Sequence, residues 1–181
     1  MLKIQNALLT TTYLPSPHCD HRPDADDISL IVVHNISLPP AQFGTGSVEK
    51  FFCGNLNFNE HPYFETIKEL RVSAHLLIHR NGDVTQFVPF DRRAWHAGKS
   101  FFQGRENCND FSIGIELEGT DDIPFEKKQY ARLAEIIQLL QEKYPKITRE
   151  HIVGHSDIAP GRKTDPGPAF DWSYLDCLLN P

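Results

Sequence analysis

No stretch of this chain is apolar enough to cross a bilayer, and its opening residues, MLKIQNALLTTTYLPSPHCD, hold no export signal. Gln5 and Asn6 interrupt the first apolar run, and three threonines and Pro15 follow at once. The expected compartment is therefore the cytosol, with no membrane partner. Positive charge is not in excess either. The formal net charge is −6, which gives a nucleic-acid partner no support. Cys-x-x-Cys pairs are missing. Cys19, Cys53, Cys108 and Cys177 stand far apart, which in a reducing compartment means free thiols, neither a disulfide frame nor a zinc ribbon. Internal repeats, low-complexity tracts and linkers are absent as well. What remains is 181 residues of ordinary globular composition, suited to one domain, 1–181, acting as a monomer.

Residues 1–27 read as an irregular segment packed on that domain. ISLIVVHN, 28–35, is an apolar β-branched run of strand length, buried on both faces. Ser47 is a candidate N-cap for a short helix through VEKFFCGNL. Pro62 marks a boundary. Two strands flank Asn81-Gly82 in SAHLLIHRNGDVTQFVP, 73–89, the pair favoured in a tight type I′ hairpin. Residues 93–109 read as a long loop. DFSIGIELEG, 110–119, alternates Phe111, Ile113, Ile115 and Leu117 on one face with Ser112, Gly114, Glu116 and Glu118 on the other. A helix over about 125–144 carries Tyr130, Leu133, Ile137, Leu140 and Tyr144 at helical spacing. HIVGH, 151–155, is a short strand, and WSYLDCLL, 172–179, a last helix. A hairpin mixed with crossovers predicts an α/β fold: one mixed central sheet of about five strands flanked by helices.

Strand ends and the loops after them are where such sheets build sites. His34 ends the first long strand and His155 the last. Asp165 follows on GHSDIAPGRKTDPGPAFDW, 154–172, a segment too rich in proline and glycine for helix or central strand. Two imidazoles and a carboxylate are a catalytic zinc set, with a fourth position left to water. Spacing alone leaves this open. A histidine at a strand end is more often a hydrogen-bonded structural group, and Asp165 before Pro166 can simply start a turn. His18 and His21 around Cys19 and Asp20 form a second, weaker cluster without a scaffold. Glu116, if buried on its strand, would have the raised pKa of a general acid or base, and Glu118 fits a solvated face better. Lys163 lies two residues before Asp165, close enough to stabilise a developing oxyanion, although a loop lysine is ordinarily just solvated.

Beyond spacing, VVHNIS, SAHLLIHRNGDVTQFVP, RAWHAG, NDFSIGIELEG and GHSDIAPGRKTDPGPAFDW stand in the order seen in the zinc amidases that cleave N-acetylmuramoyl-L-alanine bonds. The chain resembles that family over nearly its whole length, most closely the cytosolic branch that acts on 1,6-anhydro-muropeptides in cell-wall recycling. The resemblance implies one zinc per chain held by His34, His155 and Asp165, with Glu116 and Lys163 as the catalytic pair. It also implies the sheet of phage-type amidases and peptidoglycan-recognition proteins. Phage-type members place a tyrosine just before the hairpin's first histidine, where this chain has Ala74 before His75. That leaves Glu116 as the acid-base group. For an anhydro-muropeptide substrate, Trp95 offers a flat apolar face, Asn35 and Tyr63 hydrogen bonds, and Arg71 and Arg105 partners for carboxylates. His75, His79 and His96 read as supporting groups. Two other readings stand beside this one: a non-catalytic muropeptide-binding module on the same fold, and a zinc peptidase cutting within the stem peptide.

Overall fold

In the computed structural model, which describes residues 2–180, a six-stranded sheet separates two packed layers. Its strands are β1 (Thr12–Tyr13), β2 (Leu30–Ile36), β3 (Leu76–Ile78), β4 (Val84–Gln86), β5 (Ser112–Glu118) and β6 (Ile152–Gly154). They lie in the order β6-β2-β5-β3-β4-β1. Only β3 and β4 pair antiparallel; every other neighbour is parallel. The sheet is mixed, as expected, and the strand beyond the anticipated five is β1. Two residues are too few to leave a period in the sequence.

The central strands are β-branched and buried on both sides, as parallel strands are when each face is covered. One face carries Ile31, Val33, Ile113, Ile115 and Leu117, packed under Tyr130, Leu133, Ile137 and Leu140 of helix α2 (Lys127–Lys143). Helix α3 (Trp172–Leu179) adds Leu175 to the same core. Each such fully buried aliphatic side chain contributes about 1.5–3 kcal/mol relative to exposure. The other face is divided. Leu77 and Phe87 pack with Phe51 and Phe52 of helix α1 (Ser47–Phe52), while Leu30 and Val32 pack with Cys108, Phe111 and Ile158. By the strand period, His34 and Glu116 belong to this divided face. No described helix is long and apolar enough to cross a membrane.

Local chemistry moved several boundaries. The N-terminal segment is not irregular throughout: Ile4–Gln5 pairs Leu8–Leu9, Cys19–His21 pairs Arg92–Ala94, and β1 joins the sheet. The Arg92–Ala94, Phe101–Phe102 and Arg105–Glu106 strands likewise give structure to the expected 93–109 loop. Arg22 ties the segment down, donating from its buried guanidinium to the carbonyls of Phe90, Asn109, Asp110 and Ser112. Ser47 is the first helical residue and not the cap; Gly46 holds the cap position at φ 73°, and Thr45 Oγ1 accepts the Ser47 N–H. In the hairpin only Gly82 has a positive φ, 86°, so the turn is not type I′. Gly82 N donates to the His79 carbonyl and His79 N to that of Asp83, the pattern of a type I turn followed by a glycine bulge. Phe111 escapes the strand alternation because its ψ of 9° is not extended, which sends its ring to the opposite face.

Candidate metal centre and catalytic cleft

Parallel register brings the expected residues together. Glu116 is the direct partner of His34 across β5 and β2, and Gly154 is the partner of Val33 across β6 and β2. His155 therefore leaves β6 beside His34; it is not the last strand residue, and the 154–172 segment is not all loop, because His155 opens a one-turn helix that ends at Ile158, before Pro160 and Gly161. The loop after that helix returns to place Asp165 against both rings, with Ser156 N donating to the Asp165 carbonyl.

Three potential ligand atoms converge. His34 Nδ1 and His155 Nδ1 are 3.0 Å apart, and Asp165 Oδ2 lies 2.9 Å from the first and 3.1 Å from the second. Tetrahedral zinc with bonds of about 2.0–2.2 Å sets its ligand atoms about 3.3 Å apart, so the triangle is within a few tenths of an ångström of that size. Its chemistry fits as well. His155 Nε2 lies 3.1 Å from the Ala97 carbonyl, which can only accept, so a neutral ring donating from Nε2 would turn an Nδ1 lone pair inward. In that tautomer the lone pair and the carboxylate oxygen would meet at one point, where a cation would take the place of the proton they otherwise share. Among the described residues this is the one group of three such side chains with ligand atoms within 4.8 Å of one another. The sequence's weaker cluster does not form: Asp20 is paired with Arg93 at 2.6 Å, and His18 Nδ1 contacts the Val72 carbonyl.

The electrostatics are those of a desolvated site. Burial, only partly offset by Asp165, lowers the His34 pKa to about 4. For Asp165, burial acts upward, but the contacts with His155 and His34 outweigh it and hold the carboxyl below the usual range. Glu116 is pushed well above the usual carboxylate range, first by burial and then by the charge of Asp165, with Lys163 opposing. Its Oε2 is buried with no hydrogen-bond partner, a rare condition for a native carboxyl. Burial together with His34 and His75 keeps the His96 ring neutral.

These groups line one open cleft of about 430 Å³. His34, His155, Asp165, Glu116 and Lys163 form its polar end, and Phe51, Phe52, Ile67 and Leu70 an apolar wall. Asn35, Tyr63 and Trp95 also line it. Asn35 Nδ2 donates to Asp121 Oδ1 at 2.7 Å and to the Pro166 carbonyl at 3.1 Å, which leaves its own oxygen available. Trp95 is half-buried, so it belongs to the cleft and not the core. A second hollow, about 620 Å³ beside the hairpin, lies elsewhere and gathers no comparable set among the described residues.

Two expected substrate contacts are not brought to the cleft. Arg105 stacks on Phe111 at 3.6 Å and pairs with Asp27 at 2.5 Å, near Ser29 at the far end of β2. Arg71 donates to the carbonyls of Lys68 and Leu70 in a smaller neighbouring depression, which shares Phe51 and Leu70 with the cleft. Glu118 does not face solvent. It is 6 % exposed, and its carboxylate accepts the backbone N–H groups of Gly44 and Arg80. Thr120 and Asp121 also line the cleft, and nothing in a short polar run after a strand marks them in the sequence.

The sequence profile of the N-acetylmuramoyl-L-alanine amidases matches residues 24–168. The 1,6-anhydro-N-acetylmuramyl-L-alanine amidase AmpD of Citrobacter freundii is 54% identical over 181 residues, covering 100% of this chain and 96% of its own. The crystal structure of a selenomethionine derivative of AmpD superposes with a TM-score of 0.95 at 53% identity, covering 99% of both chains. The Escherichia coli amidase AmiD, solved with the substrate anhydro-N-acetylmuramic acid-L-Ala-D-γ-Glu-L-Lys, matches with a TM-score of 0.60 at 27% identity. That match covers 98% of this chain and 65% of AmiD.

Proposed function

The chain belongs to the N-acetylmuramoyl-L-alanine amidase family, and we propose from that premise how its cleft hydrolyses the amide between the lactyl group of 1,6-anhydro-N-acetylmuramic acid and L-alanine. The observation that carries the reading is one juxtaposition. A buried carboxyl with an unpartnered oxygen, Glu116, shares a cleft with three converging ligand atoms of His34, His155 and Asp165.

His34 Nδ1, His155 Nδ1 and Asp165 Oδ2 would hold one zinc ion per chain. When bound, zinc would supply Lewis acidity toward the scissile carbonyl and make water more acidic at the site. Glu116 removes a proton from the attacking water and returns it to the departing amine of L-alanine. Its raised pKa suits both halves of that exchange. Lys163, at the mouth of the same cleft, stabilises the negative charge that develops on the carbonyl oxygen. Asn35 accepts a hydrogen bond from the substrate, Trp95 and Tyr63 cover its sugar and peptide, and Arg71 reaches stem-peptide carboxylates from the rim. Arg105 has no part in binding.

Cys19, Cys53, Cys108 and Cys177 are all free, in keeping with a reducing compartment, so the substrates are wall fragments already inside the cytosol. Every group of the site comes from one chain, and a monomer suffices. The test is mass spectrometry of the products from a defined anhydro-muropeptide and from polymeric peptidoglycan. The expected products are the anhydro sugar and the intact stem peptide, with the fragment turned over faster than the polymer. Cleavage inside the stem peptide would point to a peptidase, and binding without turnover to a recognition module.

A further inference from the structure

Both imidazoles of the cluster turn their far nitrogens toward the same short segment. His155 Nε2 lies 3.1 Å from the Ala97 carbonyl, and His34 Nε2 lies 2.9 Å from His96 Nδ1. The segment is clamped from outside: the backbone N–H groups of His96 and Ala97 both donate to Asn109 Oδ1, at 3.1 and 2.8 Å. On its far side, His96 Nε2 lies 3.1 Å from Ser112 Oγ. The ring sits directly over Gly114 of β5, where a Cβ would be 2.4 Å from His96 Cγ. Only glycine at that position leaves room for the ring between β5 and His34, which it meets edge-on.

Building on the metal reading above, we propose that His96 and Ala97, fixed by Asn109, are positioning residues that set the tautomers of both histidine ligands. A neutral imidazole carries one N–H, so whichever nitrogen donates decides which one has the free lone pair. Ala97 enforces the choice for His155, because a carbonyl cannot donate. His96 enforces it for His34 when its own proton is on Nε2, directed at Ser112 Oγ. Its Nδ1 then accepts the His34 Nε2–H, and the His34 Nδ1 lone pair faces the cluster. With the His96 proton on Nδ1 the order reverses, and His34 carries its proton on Nδ1, where it blocks the metal. The two arms thus differ in kind. His155 is set by the backbone, and His34 by a ring whose state hangs on a single hydroxyl.

The experiment measures zinc affinity by chelator competition together with histidine nitrogen spectra of the zinc-loaded protein. In the wild type, His96 shows its proton on Nε2. His96→Phe weakens zinc binding about 10–100-fold, while His96→Gln, whose Oε1 accepts the same N–H, stays within about threefold of wild type. Asn109→Ala weakens it about tenfold, and Asn109→Asp, which keeps the acceptor, does not. If His96→Phe fails to fold, the Asn109 pair and the wild-type spectrum decide. Wild-type protein that takes up no zinc overturns the metal reading itself, and this proposal with it. Wild type that binds zinc with His96 protonated on Nδ1, or zinc affinity unchanged in both the His96→Phe and Asn109→Ala proteins, overturns the positioning role alone.

Discussion

Glu116→Gln should make the metal-free protein more stable while making the enzyme nearly inactive. Glu116 is 8 % exposed, its Oε2 has no partner, and burial holds its pKa well above the ordinary value. For a group whose folded pKa is raised, the favourable contribution is complete below the unfolded value, about 4.3, and is lost as pH rises through the folded value. Above that point a buried carboxylate is a net cost. A buried polar group without a partner costs about 1–3 kcal/mol, and more when charged; a neutral amide removes the charged part. At this chain length about 1 kcal/mol moves Tm by about 2–4 °C, so chelated Glu116→Gln, which sheds only the excess cost of the charge, should melt at least about 2–4 °C above wild type near pH 8. Below about pH 4 the gain should vanish, since the wild-type carboxyl is then protonated in both states. In zinc-loaded protein the gain should shrink, because a nearby cation favours the carboxylate. Over the same substitution kcat should fall about 10²–10⁴-fold with KM little changed. Calorimetry across pH and steady-state kinetics on an anhydro-muropeptide read both effects. A Tm that is unchanged or lower near neutrality, with near-full kcat, would refute the reasoning and make Glu116 a structural carboxylate.

His34→Ala, His155→Ala and Asp165→Ala should each lose zinc and activity together; elemental analysis showing full occupancy in all three would remove the metal centre. Lys163→Ala should keep its metal and lose about 10²–10³ in kcat. Its acidic limb in the pH–rate profile should persist and move to higher pH, because the cation that pulls Glu116 downward is gone; a limb that moves down contradicts this. Arg105→Ala should leave kcat/KM unchanged and lower stability by about 1 kcal/mol, the worth of an aromatic stack and a half-exposed ion pair; a raised KM would return Arg105 to the substrate. Glu118→Gln should destabilise by about 1–2 kcal/mol, since it halves the acceptors facing two backbone N–H groups, and thermal melting checks the sign.

Much of this was legible because it is periodic or punctuated. The α2 stripe, the β5 alternation and the β2 run each repeat often enough to declare their element. The proline- and glycine-dense loop after His155 announced a shaped segment carrying charge. What was not legible depends on contacts between distant segments. Arg105 and Arg71 are alike in sequence, yet one is spent on Phe111 and Asp27 and the other lies in a depression beside the cleft, donating to the carbonyls of Lys68 and Leu70. The convergence of His34, His155 and Asp165 needed the β6-β2-β5 register, which no spacing along the chain encodes.

Glu116 and Glu118 show where the sequence runs out and what replaces it. They stand two residues apart on the same face of the same strand, and both are buried. Alternation gives them one orientation, and composition gives them one chemistry. Their fates are decided by the loops opposite. The 37–46 loop and the hairpin bring two backbone N–H groups, of Gly44 and Arg80, onto Glu118, so its charge is satisfied and its task is to hold chain together. Nothing is brought to Glu116 Oε2 except the open cleft, the charge of Asp165 and the more distant Lys163. A buried carboxyl left in that state costs stability, and the proton exchange proposed for Glu116 would account for that cost. The opposite signs expected for Glu116→Gln and Glu118→Gln follow from that difference alone, with strand, face and residue type held constant.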